Sequence, residues 1–271
     1  MNCSAINRKS TRKLPALLLL TVCTTVLLFA SCAFKPQTLS QSTASNLPPV
    51  ILWAWERPEN LEFLDPERYG VAFLAQTLIL QNDEVVFRPR RQPLQVTPRT
   101  KLIAVTRIES LKTTGKEAAL SDAQKAKIIT LVLKTLELEN VSAIQIDFDA
   151  ASSERQFYRA LLKDLRPQLP EQMPLSITAL ASFCLGDRWL QDLPIDEAVP
   201  MIFRMGADDK AIKNLLAAGN DLREPLCRSS YGMAIDEPLE MKIDDSRRLY
   251  LFANHSWSEK DLASVPGGFL R

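Results

Sequence analysis

Histidine occurs once in this 271-residue chain, at position 255. A zinc site built on clustered histidines is thereby excluded, and a Ser-His-Asp triad would have to use His255, with no nucleophile-elbow motif beside it. No glycine-rich phosphate turn follows the first apolar strand, where Trp55, Glu56, Arg57 and Pro58 stand instead. No nucleotide cofactor is expected. The aspartates lack the spacing of a calcium loop, and no metal is assigned. An excess of charge of one sign is missing too, since the formal net charge is only +1. Arg8, Lys9, Arg12 and Lys13 all sit in the N-terminal leader, so its removal leaves a slight acidic excess, which argues against nucleic acid as a partner. Cysteine is sparse: of five, Cys3 and Cys23 fall in the leader and Cys32 just after it, leaving Cys184 and Cys227. In an exported domain these two form a disulfide or stay buried and reduced, and both readings stand at this stage.

What is present begins with that leader. Residues 1–31 combine a basic start, an apolar run from 14 to 30 and small residues before Cys32, the make-up of a secretion signal. The run Leu28-Phe29-Ala30-Ser31-Cys32 resembles the lipobox of bacterial lipoproteins, with Phe29 where leucine is usual. The resemblance implies cleavage before Cys32, lipidation there and a membrane contact through the lipid anchor only. The other reading is an uncut signal anchor. Either way the domain is expected outside the cytoplasmic membrane, in the cell envelope. Ala33, rather than aspartate, follows the cysteine, which favours the outer membrane where one exists. Residues 32–48 are polar and rich in Ser and Thr, a flexible tether, and 49–271 form a single domain.

With 46% hydrophobic and 24% charged residues the chain has enough apolar material for one large α/β core and no length for a second. Apolar runs recur at 50–55, 70–80, 102–108, 141–148, 175–181, 198–205, 231–235 and 249–253. Helical periods lie between several of them, at 123–138, 155–166 and 209–218, opened respectively by Ser121-Asp122, Ser152-Ser153 and Asp208. Eight strands alternating with helices predict a (β/α)8 TIM-type barrel, somewhat degenerate because the second strand is followed by EVVFRPRRQPLQVTPR. That stretch has three prolines and no helical period, and reads as an extended or hairpin excursion. A doubly wound open sheet is the alternative architecture.

The chain is organised around VSAIQIDFDAASSE, residues 141–154. At period two, Ile144, Ile146 and Phe148 form an apolar face and Gln145, Asp147 and Asp149 a polar one. A buried strand with polar groups at three alternate positions must give each a partner or a wet cavity. Carboxylates at the C-terminal end of a barrel strand lie where this fold keeps its chemistry.

Together with PLSITALASFC, DEAVPMIFRMG, DEPLE and the early WAWERPENL, the IQIDFDAASSE block resembles the bacterial family known as domain of unknown function 3142. More distantly, the strand resembles the fourth strand of glycoside hydrolase family 18, whose pattern is Asp-Gly-x-Asp-x-Asp-x-Glu with the last residue as general acid. Ser142, Ala143, Gln145, Asp147 and Asp149 occupy its five fixed positions, and Asp147 alone matches. Asp149 supplies a carboxyl one methylene shorter than the expected glutamate. Where that family often brings Met-x-Tyr-Asp on strand six, Met201-Ile202-Phe203-Arg204 has no hydroxyl and the opposite charge. The resemblance implies a sugar-binding barrel and speaks against that family's substrate-assisted mechanism.

Asp147 and Asp149, about 6.6 Å apart along the strand, are the candidate catalytic pair, within the range in which two carboxyls flank a glycosidic bond. The alternative is an ion-pair network with Arg107, Glu109 and Arg204. Candidate substrate contacts are Gln145, Trp55, Glu56, Arg107, Arg204 and Trp257, with Trp53, Trp55 and Trp257 either stacking a sugar ring or packing the barrel. Two functions follow: an envelope enzyme hydrolysing a polysaccharide, or a noncatalytic glycan-binding or envelope-assembly lipoprotein on the same scaffold. An open groove without a cation on Asp149 favours the first, and a bidentate arginine there favours the second. The leader generates a prediction of its own. Cys32→Ser should abolish lipid labelling and accumulate a longer precursor, and labelling that persists in the variant rejects the lipobox.

Overall fold

A computed structural model describes residues 46–237 and 243–265. The leader, Cys32, most of the tether and residues 238–242 lie outside the described residues. The barrel belongs to one compact unit, Leu39–Arg271.

Eight parallel strands form it: β1 (Val50–Ala54), β2 (Tyr69–Gln81), β3 (Leu102–Ser110), β4 (Val141–Asp147), β5 (Leu175–Leu180), β6 (Glu197–Met201), β7 (Ser230–Ala234) and β8 (Arg248–Phe252). Each pairs with its successor, and β1 pairs with both β2 and β8, so the sheet closes on itself. Closure excludes the doubly wound open sheet. Strand β7 approaches β6 closely at Gly232, where a Cβ would lie 2.7 Å from the Pro200 carbonyl oxygen, so only glycine fits.

Among the described residues the outer ring is thinner than strict alternation predicts. Three α-helices are present: α1 (Asp122–Lys134) before β4, α2 (Arg155–Leu165) before β5 and α3 (Asp209–Ala217) before β7. After β2 the chain turns at Asn82, whose φ of 46° suits an asparagine, and runs back as the antiparallel strand Glu84–Pro89. This is the hairpin excursion. Between β5 and β6 only short 3-10 turns intervene.

Each helix covers the barrel with the face its period presents. In α2 Phe157, Tyr158, Leu161, Leu162 and Leu165 are buried against the outward face of β4, where Ile144, Ile146 and Phe148 point. Each fully buried side chain of this kind contributes roughly 1.5–3 kcal/mol of burial. Helix α1 starts as expected at Ser121, whose hydroxyl accepts from the Gln124 amide at 3.1 Å, and the Gln124 side chain accepts in return from Ser121 N. The other two starts differ from expectation. No serine hydroxyl caps the turn before α2; Glu154 does so, its carboxylate accepting from Ala151 N at 2.6 Å and from the Ser110 hydroxyl. Asp208 makes no side-chain cap on α3.

Inside the barrel Ile51, Trp53, Ile103, Val105, Val199 and Tyr250 form a second, smaller core, plugged at the N-terminal end by Leu47. Cys184 and Cys227 are bonded, with Cα atoms 5.9 Å apart. The bridge fastens the turn after β5 to the segment entering β7, whose Arg223 and Glu224 amides both donate to the Cys184 carbonyl. Closing a separation of 43 residues restricts the unfolded chain by roughly 4 kcal/mol. Nonreducing mass mapping should therefore recover the Cys184 and Cys227 peptides linked, and the double alanine variant should lose stability of that order in urea unfolding. Free, alkylatable thiols in oxidised, unfolded protein reject the bridge.

Candidate active site

Backbone alternation carries the polar face of β4 into the lumen, and the register with β5 decides its partners. Gln145 lies opposite Ser176 and Ile146 opposite Ile177, so Asp147 comes level with Thr178. The Thr178 hydroxyl donates to Asp147 Oδ1 at 2.6 Å. One layer below, Gln145 accepts from Trp53 Nε1 and donates to Ser176 Oγ, both at 3.1 Å.

Above this floor the mouth opens into a cavity of about 390 Å³. One wall is aromatic: Trp55 stacks on Trp53 with centroids 5.3 Å apart, Trp53 lies 4.6 Å from Phe252, and Phe252 lies 4.5 Å from Phe203. Asp147, Asp149 and Arg107 also line the cavity. Two smaller cavities adjoin. One, of about 150 Å³, runs along Arg107, Glu109, Ser110 and Lys112, and the other, of about 250 Å³, along Leu180, Met205 and Ile212. Asp149 lines all three.

The two carboxyls differ in setting. Strand β4 ends at Asp147, which is only 7% exposed, whereas Asp149 follows in a tight turn and its side chain reaches solvent. Burial pushes the Asp147 pKa up to about 6; the Thr178 hydrogen bond and Arg107 work against this, and the Asp149 charge adds to it. Asp149 is also raised, because enough protein surrounds its carboxyl to desolvate it in part, with Arg107 opposing. Among the described residues no lysine or arginine forms an ion pair with either acid. Arg107 is held away from them, its Nε 2.8 Å from Glu109 and its guanidinium 5.0 Å from the Trp55 ring centre. Arg204 pairs with Asp236 at 3.0 Å, and Arg57 donates to the Ala253 carbonyl at 2.9 Å. The expected network thus exists between Arg107 and Glu109 but does not reach the aspartates.

The structure gathers Asp147, Asp149, Trp55, Arg107 and Arg204 around one cavity, together with Trp53. Three other expected contacts lie elsewhere. Gln145 is fully buried under the floor, where it orients Trp53. Trp257 is core, 5% exposed, its Nε1 donating to the Trp53 carbonyl at 2.9 Å and its amide to Glu59 at 2.9 Å. Glu56 points to solvent because the chain turns tightly from Trp55 O to Arg57 N, at 2.8 Å, which brings Arg57 to the cavity instead. Arg90, from the hairpin excursion, braces that turn by donating to the Trp55 and Arg57 carbonyls. Thr178, Phe203 and Phe252 were not anticipated. Thr178 was open to detection, since Ser176 and Thr178 repeat on β5 the alternation of Gln145 and Asp147 on β4. His255 lies outside the cavity, exposed, near Asn254 and Asp261. No group of three or more His, Cys, Asp or Glu among the described residues could hold a metal ion.

A closed parallel barrel with an acid pair at the C-terminal mouth of its fourth strand defines a (β/α)8 protein. Residues 97–199, which run from β3 into the start of β6 and include both acids, match the family described as domain of unknown function (DUF3142). No curated protein matches the chain. Among solved structures it is similar to the Bacillus cereus spore cortex-lytic enzyme SleL, at 16% identity over 69% of this chain and 51% of that one, with a TM-score of 0.46. It is also similar to the chitinase domain of the spore coat protein CotE from Clostridium difficile, at 12% identity over 71% and 51%, with a TM-score of 0.36. The chain spans about half the length of each.

A carboxyl whose pKa rises on folding stabilises the fold below its unfolded value, 3.8, and that contribution is lost as pH climbs through about 6. The rise corresponds to roughly 3 kcal/mol. Asp147→Asn, which keeps the acceptor facing Thr178, should therefore be more stable than the parent by about 2–3 kcal/mol at pH 8, and the difference should vanish near pH 4. Urea unfolding at the two pH values measures it; a variant less stable at pH 8 would show that a cation neutralises Asp147 in solution.

Proposed function

We propose that this protein is an envelope lipoprotein whose barrel hydrolyses a polysaccharide, with Asp149 as proton donor and Asp147 as its partner. The observation that carries the reading is the pair itself: a buried Asp147 and a solvent-reaching Asp149 on one cavity, both with raised pKa and neither ion-paired with a cation among the described residues, with Asp149 at the meeting point of three cavities. Two such acids keep a proton to higher pH than free aspartates do, the condition a general acid needs near neutrality. Asp149, at the solvent-facing end, delivers the proton to the glycosidic oxygen as the bond to the anomeric carbon breaks. Asp147, held by Thr178 and already ionised above about pH 6, is the carboxylate that faces the developing positive charge; water from the open mouth then bonds to the anomeric carbon and its released proton returns to Asp149. The aromatic wall supplies a flat apolar surface for a sugar ring.

That wall also supports the second reading, a noncatalytic glycan-binding module, because stacking needs no acid. The experiment that separates them uses the unit from Leu39 onward on a glycan array, with products read by mass spectrometry. Asp149→Asn should lose on the order of 10² to 10⁴ in turnover while glycan affinity changes little. Binding by the parent with no product from any bound glycan rejects the enzyme and leaves the module.

A further inference from the structure

Beside Asp149 lies the cavity of about 250 Å³. One side of it is apolar, formed by Leu180, Ala181, Met201, Phe203, Met205 and Ile212, and Asp149, Ser182, Arg204 and Asp208 are its polar residues. Leu180, at the end of β5, is 38% exposed, one of the few large apolar side chains among the described residues left so open, and Met201, Phe203 and Met205 are only half-buried. Packing of the barrel does not require this exposure, because the face of α3 that covers the sheet is carried by Ile212 and Leu216, each 2% exposed. Four partly open apolar side chains that converge on one recess mark a ligand surface, and the two methionines make it adaptable. The recess is continuous with the main cavity, sharing Asp149, Met201, Phe203 and Arg204 with it. A group lying in it therefore belongs to the molecule whose reacting bond sits at Asp149. Its volume is several times the roughly 30 Å³ of a water-sized group, more than one methyl would fill.

We propose that this recess receives a hydrocarbon substituent, an acyl or alkyl chain several carbons long, carried by the glycan next to the bond that Asp149 protonates. The inference rests on the glycan reading and narrows it to an apolar-substituted sugar. A bare, fully hydroxylated polysaccharide would leave these side chains wet, whereas a chain of four to six carbons would cover them.

The probes are methyl, butyl and hexyl β-glucosides, used below micelle formation, with 1-hexanol as the sugar-free control. Binding to the unit from Leu39 onward is followed by calorimetry and by methyl NMR of labelled methionine. Affinity should rise roughly two- to fourfold per added methylene, with the Met205 methyl shifting increasingly along the series. Leu180→Ser, at an exposed position where folding is not at stake, should flatten the series, and Met205→Trp should abolish it by filling the recess; both should still bind the methyl glucoside as the parent does. Equal affinity across the series, or a gain that survives both variants, overturns the recess and leaves the glycan reading intact. A Met205 response to 1-hexanol with no response to any glucoside overturns the sugar-borne form of the proposal, and with it the support for a glycan.

Discussion

The burial of Asp147 is the constraint on which the site depends. A strand of a closed barrel has two faces, and on β4 the outward one is committed to Ile144, Ile146 and Phe148 under α2. The polar residues between them have nowhere to go but the lumen. Once there they are desolvated, and each is met by the adjoining strand: Ser176 for Gln145 and Thr178 for Asp147. A hydroxyl donor steadies a carboxylate without neutralising it. Asp147 is thus held in place and still keeps its proton to about pH 6.

Charge at the mouth is arranged so that this state persists. Arginines are present within reach, yet each is engaged with another group. Arg107 is fastened by Glu109 and lies against Trp55, Arg204 is paired with Asp236, and Arg57 and Arg90 hold the turn after β1. Asn254 adds a second bond to Asp236 at 2.9 Å. A buried acid that exists to tie the fold together gains from a direct cation, because leaving it unpaired is costly. The absence of such a pair among the described residues weighs against a merely structural role for the buried Asp147.

The barrel was legible because eight apolar runs at βα spacing leave few other folds, and because the polar alternation of β4 is visible in seven residues. The hairpin after β2 was legible from its prolines. Elsewhere the signal was missing or misleading. Trp257 has the residue type and chain position of a platform, but its amide and indole bonds to Glu59 and Trp53 fix it in the core, and no local pattern encodes contacts across about two hundred residues. Glu56 and Arg57 are adjacent charges, and only the tight turn braced by Arg90 decides which faces the cavity. The capping of α2 fell to Glu154 rather than to Ser152 or Ser153 because a carboxylate three residues ahead reaches back to Ala151 N. Phe203 and Phe252 lie at or beyond strand ends, where alternation stops being a guide.

The end of β4 also places the two acids in different surroundings. Had the strand continued through position 149, its carboxyl would sit one pleat above Asp147, beside a single neighbouring strand. The ladder stops at Asp147 instead, and Ala150 N bonds to the Phe148 carbonyl at 2.7 Å, turning the backbone sharply. The turn leaves Phe148 and Ala150 buried and swings Asp149 out to the junction of the three cavities. The deeper acid is thus set by strand register, and the outer one by a turn that leaves it lining three cavities.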